Sequence, residues 1–323
     1  MNRASLLLAA AALGAAAAAT PAAADDYPQH EITAICPFAP GTGADIFIRF
    51  FADRLSRLSG QPVVVSNKPG AQGSLASLAV AKAKPDGYTL AITPASSTIA
   101  TASHLFKQPP FDPIKDFAPI TTLATVPFVL VVAPDSPAKS VADLTALLKK
   151  KGASANYGGS SNTGIVAAEL YKKAAGLQVT RVNYKSVVDI LREMQAGQLD
   201  FTITDASWVK GQAAEGRLRP LAVTSVKRAG ALPDVPTFQE AGVAGIDLTA
   251  WWAAFAPAGT PKPVIDKLSG WFNQILAMPE TREFLAKIAT DPLPGDPESL
   301  RKLLATDVDR WGEYVRLAGI PAQ

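Results

Sequence analysis

From Glu31 onward, short β-branched runs alternate with amphipathic helical stretches, and this alternation constrains the fold more than any other feature. Strand, helix, strand in repeated order is the signature of a parallel α/β sheet. Residues 32–36 read as a strand. Residues 44–58 read as a helix, because Ile46/Phe50, Phe47/Phe51 and Phe51/Leu55/Leu58 recur at helical spacing. A strand at Val63-Val64-Val65, a helix over 74–83, and strands over 88–93, 118–126 and 128–133 follow. After Pro134 the rhythm restarts. A helix over 141–150 is capped by Ser140, then come strand 156–157, helix 163–175, strand 181–183, helix 187–196, and strands 201–204 and 220–224. Beyond Pro261 the chain reads as helical throughout, with Pro263, Pro279 and Pro297 at helix starts, where the missing N–H is tolerated. The pattern gives two β/α lobes plus C-terminal helices. It leaves open whether the domains are consecutive or the first is interrupted by the second.

Residues 1–24 are an address rather than structure. Arg3, the apolar run from Leu6 to Ala19, and the ending Pro21-Ala22-Ala23-Ala24 form the pattern of a secretory signal peptide cut after Ala24. No later stretch approaches the ~20 apolar residues that span a bilayer, so a soluble exported protein is expected. Lys+Arg number 31 against 28 Asp+Glu, without a basic cluster, so a nucleic-acid partner is not expected. Two histidines (His30, His104) and one cysteine (Cys36) exclude Cys/His zinc sites, iron–sulfur clusters and disulfide frameworks. Cys36 reads as a small buried apolar residue. No cofactor is called for.

Two turns carry the chemistry. Phe38, Ala39, Gly41 and Thr42 end the first strand, and Gly43, Ala44 and Asp45 open the first helix. Free backbone N–H groups at the positive end of a helix suit a carboxylate or phosphate. As a nucleotide motif the segment is weak, since Ile46 stands where a small residue is wanted and no Gly-Lys-Ser/Thr occurs. The second turn, Tyr157-Gly158-Gly159 followed by Ser160, Ser161, Asn162 and Thr163, offers glycines, hydroxyls and amides before another helix. Ser96 and Ser97 after one strand, and Asp205 after another, sit where open α/β sheets place ligand-binding loops. Each segment also has a plain reading as a turn or helix cap. Of Trp251 and Trp252, neighbours in a strand, one indole lines a cleft or both lie in the core. A Ser-His-Asp hydrolase would need His104, which has no carboxylate near it in sequence.

The segments Pro37-Phe38-Ala39-Pro40-Gly41, Asn67-Lys68-Pro69-Gly70-Ala71, Pro85-Asp86-Gly87-Tyr88, Asp116-Phe117-Ala118-Pro119, Leu232-Pro233-Asp234-Val235-Pro236 and Phe255-Ala256-Pro257-Ala258-Gly259-Thr260-Pro261 occur in a specific shared order. In these the chain resembles the extracytoplasmic solute-binding proteins of tripartite tricarboxylate transporters, the Bug family, over about residues 27–320. The resemblance implies an α/β, two-lobed, type II periplasmic-binding (Venus-flytrap) fold with a discontinuous first domain. Lobe one would be 25–123 plus 251–323, and lobe two 124–250. It implies a monomeric periplasmic receptor, not an enzyme, that takes a small carboxylate and delivers it to membrane permease subunits. Docking on a sensor kinase is the alternative use of the same lobes. The loop 38–45 would hold the carboxylate, with Ser160, Ser161, Asn162 and Thr163 closing over it and Ser96, Ser97 and Asp205 setting orientation. Two departures bear on the ligand. Thr42 stands where the family runs Pro-Gly-Gly, and Ser186-Val187-Val188 stands where a glycine is common after Tyr184-Lys185. An aromatic or longer aliphatic dicarboxylate stays open.

Overall fold

The computed structural model describes residues 26–184 and 186–322; the expected signal peptide, with its cut after Ala24, lies outside them. The first β/α units are β1 (Ile32–Cys36), α1 (Gly43–Ser59), β2 (Val63–Asn67), α2 (Ser74–Ala81) and β3 (Thr89–Thr93). Strand β1 pairs in parallel with both β2 and β3. Helix α1 buries Phe47, Ile48, Phe51 and Leu55 against this sheet; Phe47, Phe51 and Leu55 belong to the expected stripe, whereas Ile46, also expected in it, is 51% exposed because it lies on the opposite face of the helix. Two single-turn helices, α3 (Ala95–Thr98) and α4 (Ala102–Leu105), lead on to β4 (Phe117–Val132).

Strand β4 is one 16-residue element, not the two strands that Pro127 suggested. At about 3.3 Å per residue it runs roughly 50 Å and belongs to both halves of the molecule. Pro127 is tolerated because it sits where one partner hands over to the next. It faces Thr249, the first residue of the strand on one side, while Phe128 faces Asp205, the last residue of another. A missing N–H at such a handover breaks no continuous ladder.

The second half comprises α5 (Val141–Lys151), β5 (Asn156–Gly159), α6 (Asn162–Ala175), β6 (Thr180–Asn183), α7 (Val187–Gln195), β7 (Phe201–Asp205), α8 (Ala206–Ala214) and β8 (Arg219–Val223). Strand β5 lies in parallel between β6 and β7, and β4 runs antiparallel to β7 and β8. The chain then returns through β9 (Thr249–Pro257), which inserts antiparallel between β3 and β4. Helices α9 (Lys262–Ala277) and α10 (Pro279–Lys287), strand β10 (Asp291–Pro292) and α11 (Pro297–Ala318) complete the fold. The expectation of unbroken helix after Pro261 is corrected by β10, which pairs with β4 at Thr125 and Ala124. The full order is β2-β1-β3-β9-β4-β7-β5-β6, with β8 and β10 also on β4. The C-terminal helices therefore return to the first half, so the first domain is discontinuous.

Helix α11 ties the two halves on the side of the sheet. Near its start, Thr121 Oγ1 and Asn273 Nδ2 both donate to the Gly295 carbonyl, each at 2.9 Å. At its end, Arg181 donates to the Ala318 carbonyl at 2.6 Å. In between, the buried Trp251 indole donates to Asp307 at 2.8 Å. Cys36 is buried and unpaired, as expected. His104 is a packing group rather than a base. Its Nε2 lies 2.8 Å from the Val308 carbonyl, and its ring closes on Gly312 of α11.

Candidate functional site

The turn between β1 and α1 is built from within. Gly41 adopts φ +80, a left-handed conformation suited to glycine, and turns the chain. Thr42 is the N-cap of α1: its Oγ1 accepts from the Asp45 amide at 3.2 Å and donates to the Ala39 carbonyl at 2.9 Å. Asp45 is 1% exposed, and its carboxylate accepts from the Gly41 amide (2.9 Å), Arg49 Nε (2.8 Å) and Asn67 Nδ2 (2.8 Å). Hydrogen bonding from Arg49, with those of Asn67 and Gly41, outweighs burial and holds this carboxyl down at about 2. Asp45 thus shapes the turn, and its own oxygens are occupied by the protein. At the positive end of α1 the Gly43 and Ala44 amides have no protein partner among the described residues.

The second turn differs from its sequence reading. Gly158 and Gly159 belong to β5, and they serve packing rather than approach to a ligand. A Cβ on Gly158 would lie 2.7 Å from Ile190 Cγ2, so the missing side chain lets α7 sit close on the strand. Ser160 is half-buried, and Ser161 is the N-cap of α6, accepting from the Gly164 amide at 3.2 Å. Thr163 is buried. Asn162 reaches the first half of the molecule: its Nδ2 stands 3.4 Å from Oε1 of Gln72.

The remaining foreseen residues are anchored within the fold. Ser96 is buried, and its Oγ accepts from the Trp251 amide at 3.1 Å; half-buried Ser97 donates to the Pro94 carbonyl at 3.1 Å. Asp205 is the N-cap of α8, accepting from the Trp208 amide at 3.0 Å and from the Ser207 hydroxyl. Ser186 caps α7 by accepting from the Val188 amide at 3.1 Å.

A cavity of about 480 Å³ brings several of these groups together. Gly43, Ala44 and Phe47 come from α1; Val126, Phe128, Ala250 and Trp252 from the paired strands β4 and β9; Asp205 and Ser207 from the second half. Lys287, Ile288 and Thr290, at and after the end of α10, complete the wall. Phe38 packs on Trp252 behind it, ring centroids 6.3 Å apart, while Ala39, Gly41 and Thr42 are on the exposed turn. Ser96, Ser97 and residues 160–163 do not line this cavity. A larger one of about 590 Å³ lies at the far end of the β4–β9 ladder, beside Phe117 and Thr260, away from both turns. Trp251 and Trp252 point to opposite faces as strand geometry requires, and both are buried, though Trp252 still borders the cavity.

Sequence reasoning did not select Phe47, Phe128 or Lys287. Phe47 carried a signal, standing one helical turn from Gly43 and so on the same face. Lys287 carried none, since more than 200 residues of chain fold between it and the α1 turn. Among the described residues there is no Cys, His, Asp and Glu grouping able to hold a metal ion, and no helix long and apolar enough to cross a membrane.

Residues 47–320 match the tripartite tricarboxylate transporter family receptor. The chain belongs to that receptor family. Protein BugT of Bordetella pertussis is 30% identical over 298 residues, covering 92% of this chain and 91% of BugT. An R. palustris protein with adipate is 33% identical with a TM-score of 0.77, covering 92% of this chain and 100% of that one. The periplasmic binding protein BugD is 29% identical with a TM-score of 0.73, over 92% of this chain and 100% of that one. As a member of this receptor family the chain has the two-lobed periplasmic-binding fold and the role of a solute-binding receptor. Strand β4 pairs in both halves, β9 brings the chain back to the first, and the cavity of about 480 Å³ lies beside them.

Proposed function

We propose that this receptor works in the periplasm as a monomer, captures a small carboxylate between its lobes and passes it to the membrane subunits of a tripartite transporter. The observation that carries the reading is the pair of unpartnered amides, Gly43 and Ala44, opening into a cavity whose other wall comes from the second lobe. Two N–H donors at a helix start hold a carboxylate without needing an arginine. Adipate bound by a relative supports the same ligand class. In this reading Phe38, Ala39 and Gly41 to Asp45 form the first-lobe grip. Asn162 and its neighbours Ser160, Ser161 and Thr163 fasten the closed form, and Ser96, Ser97 and Asp205 fix the frame around the ligand. Residues 25–123 with 251–323 move against 124–250 as the two lobes.

Thermal-shift screening of the exported protein against mono- and dicarboxylates tests the capture step. Stabilisation by at least one small carboxylate is expected, and none by any of them overturns the reading. Uptake of that acid in cells with and without the partner permease subunits tests delivery. Amino-terminal sequencing of protein from a periplasmic fraction should begin at Asp25.

A further inference from the structure

Lys287 closes α10 and lines the cavity, yet its ammonium makes no hydrogen bond or ion pair among the described residues. Most of the other cavity-lining side chains are apolar: Phe47, Val126, Phe128, Trp252 and Ile288. Phe47 and Trp252 lie with ring centroids 4.2 Å apart at 31°, a firm aromatic surface that loses little freedom when covered.

The segment carrying Lys287 is fixed rather than loose. Lys210 of α8 donates to the Ala286 carbonyl at 2.8 Å across the two lobes. Ala289 is buried at φ +53, a left-handed conformation unusual for a residue other than glycine, and Thr290 donates back to the Leu285 carbonyl at 3.0 Å. Asp205 shares the cavity: its Oδ1 accepts from the Trp208 amide and the Ser207 hydroxyl at the start of its own helix, and its Oδ2 from Thr204 Oγ1 at 3.4 Å. Among the described residues the cation bordering the cavity without a hydrogen bond or ion pair is the Lys287 ammonium.

Resting on the carboxylate reading above, we propose that the ligand is an elongated dianion with an apolar body. One carboxylate sits on the Gly43 and Ala44 amides, the body lies against Phe47 and Trp252, and the far carboxylate meets Lys287. A charge-assisted contact of this kind selects a diacid over the monoacid of equal length.

Calorimetric titration of the exported protein with adipate, hexanoate and 6-aminohexanoate, on wild type, K287Q and K287R, tests this. Wild type should bind adipate about tenfold or more tighter than hexanoate. K287Q should lose about tenfold for adipate and leave hexanoate unchanged, and K287R should keep the preference for the diacid. Lys287 is exposed, so neither variant should alter the melting temperature of the unliganded protein. Equal adipate binding by wild type and K287Q overturns the assignment while leaving the carboxylate reading intact. Tighter binding of 6-aminohexanoate than adipate also overturns it, by giving the far end to Asp205. Failure of all three acids, with no other carboxylate bound, removes the underlying reading as well.

Discussion

Asp45 Oδ1 and Asn67 Nδ2 lie 2.8 Å apart, and the same amide nitrogen also donates to the Phe38 carbonyl at 2.8 Å. One side chain from the end of β2 thus grips both sides of the β1–α1 turn, so the shape that leaves the Gly43 and Ala44 amides free depends on a neighbouring strand.

Replacing Asp45 by alanine strands the Gly41 amide, Asn67 and Arg49 without their shared acceptor. Losing these part-buried hydrogen bonds should destabilise the protein by roughly 1–3 kcal/mol, and carboxylate affinity should fall as the turn loosens. Because the Asp45 carboxyl is held at about 2 against 3.8 unperturbed, its contribution is complete above about pH 4 and disappears as pH falls toward 2. Chemical denaturation of wild type and D45A between pH 2 and 6 checks both: the gap between them should narrow only at the acid end.

Asp307 behaves in the opposite sense. Burial is the main reason its carboxyl rises to about 6, opposed by the Trp251 hydrogen bond and the charge of Arg310. The native state therefore holds this proton more tightly than the unfolded chain, and stability falls as pH climbs from about 4 to 6, then levels. The full span is roughly 3 kcal/mol. D307N removes the burden of a buried charge, so it should flatten that slope and be no less stable than wild type at pH 7. A D307N variant with the wild-type pH profile would show that the slope arises elsewhere.

Much of this frame was readable in advance, and the gaps have local causes. The α1 stripe and the Ser140 and Ser186 caps are short-range signals, set by helical spacing and by a hydroxyl one residue before a helix. Helix α8 was not, because Ala206 to Ala214 shows little apolar periodicity and its start is declared only by the Asp205 cap. Strand β4 reads as two in the sequence because a proline is a local breaker, whereas its tolerance depends on which strands flank it. The site divides in the same way. Gly43, Ala44 and Asp205 sit at strand-to-helix junctions that sequence can flag, while Phe128, Trp252 and Lys287 join them only through the crossover topology.

Gly164 to alanine should be among the most damaging single-methyl changes in the second lobe. The added Cβ would press on the Ile203 carbonyl oxygen, backbone that β7 holds in register with β4. Overpacking against rigid backbone typically costs about 1–3 kcal/mol, so the melting temperature should drop by several degrees. A melt unchanged from wild type would mean that α6 can move away from β7 freely.

The Asn162–Gln72 contact joins the start of α6 to the turn before α2, residues ninety positions apart on opposite lobes. At 3.4 Å it is a weak hydrogen bond, whose net worth is about 0.5–1.5 kcal/mol. If it fastens the closed form, losing it should leave ligand entry nearly unchanged and speed release about two- to tenfold, since contacts made after encounter act on the off-rate. N162A and Q72A should then have the same effect, and the double variant should add nothing further, because both remove one interaction. Stopped-flow release of a bound carboxylate from all four proteins reads this directly. Additive effects of the two substitutions would mean that each side chain acts on its own, and that the two lobes are held together by other contacts.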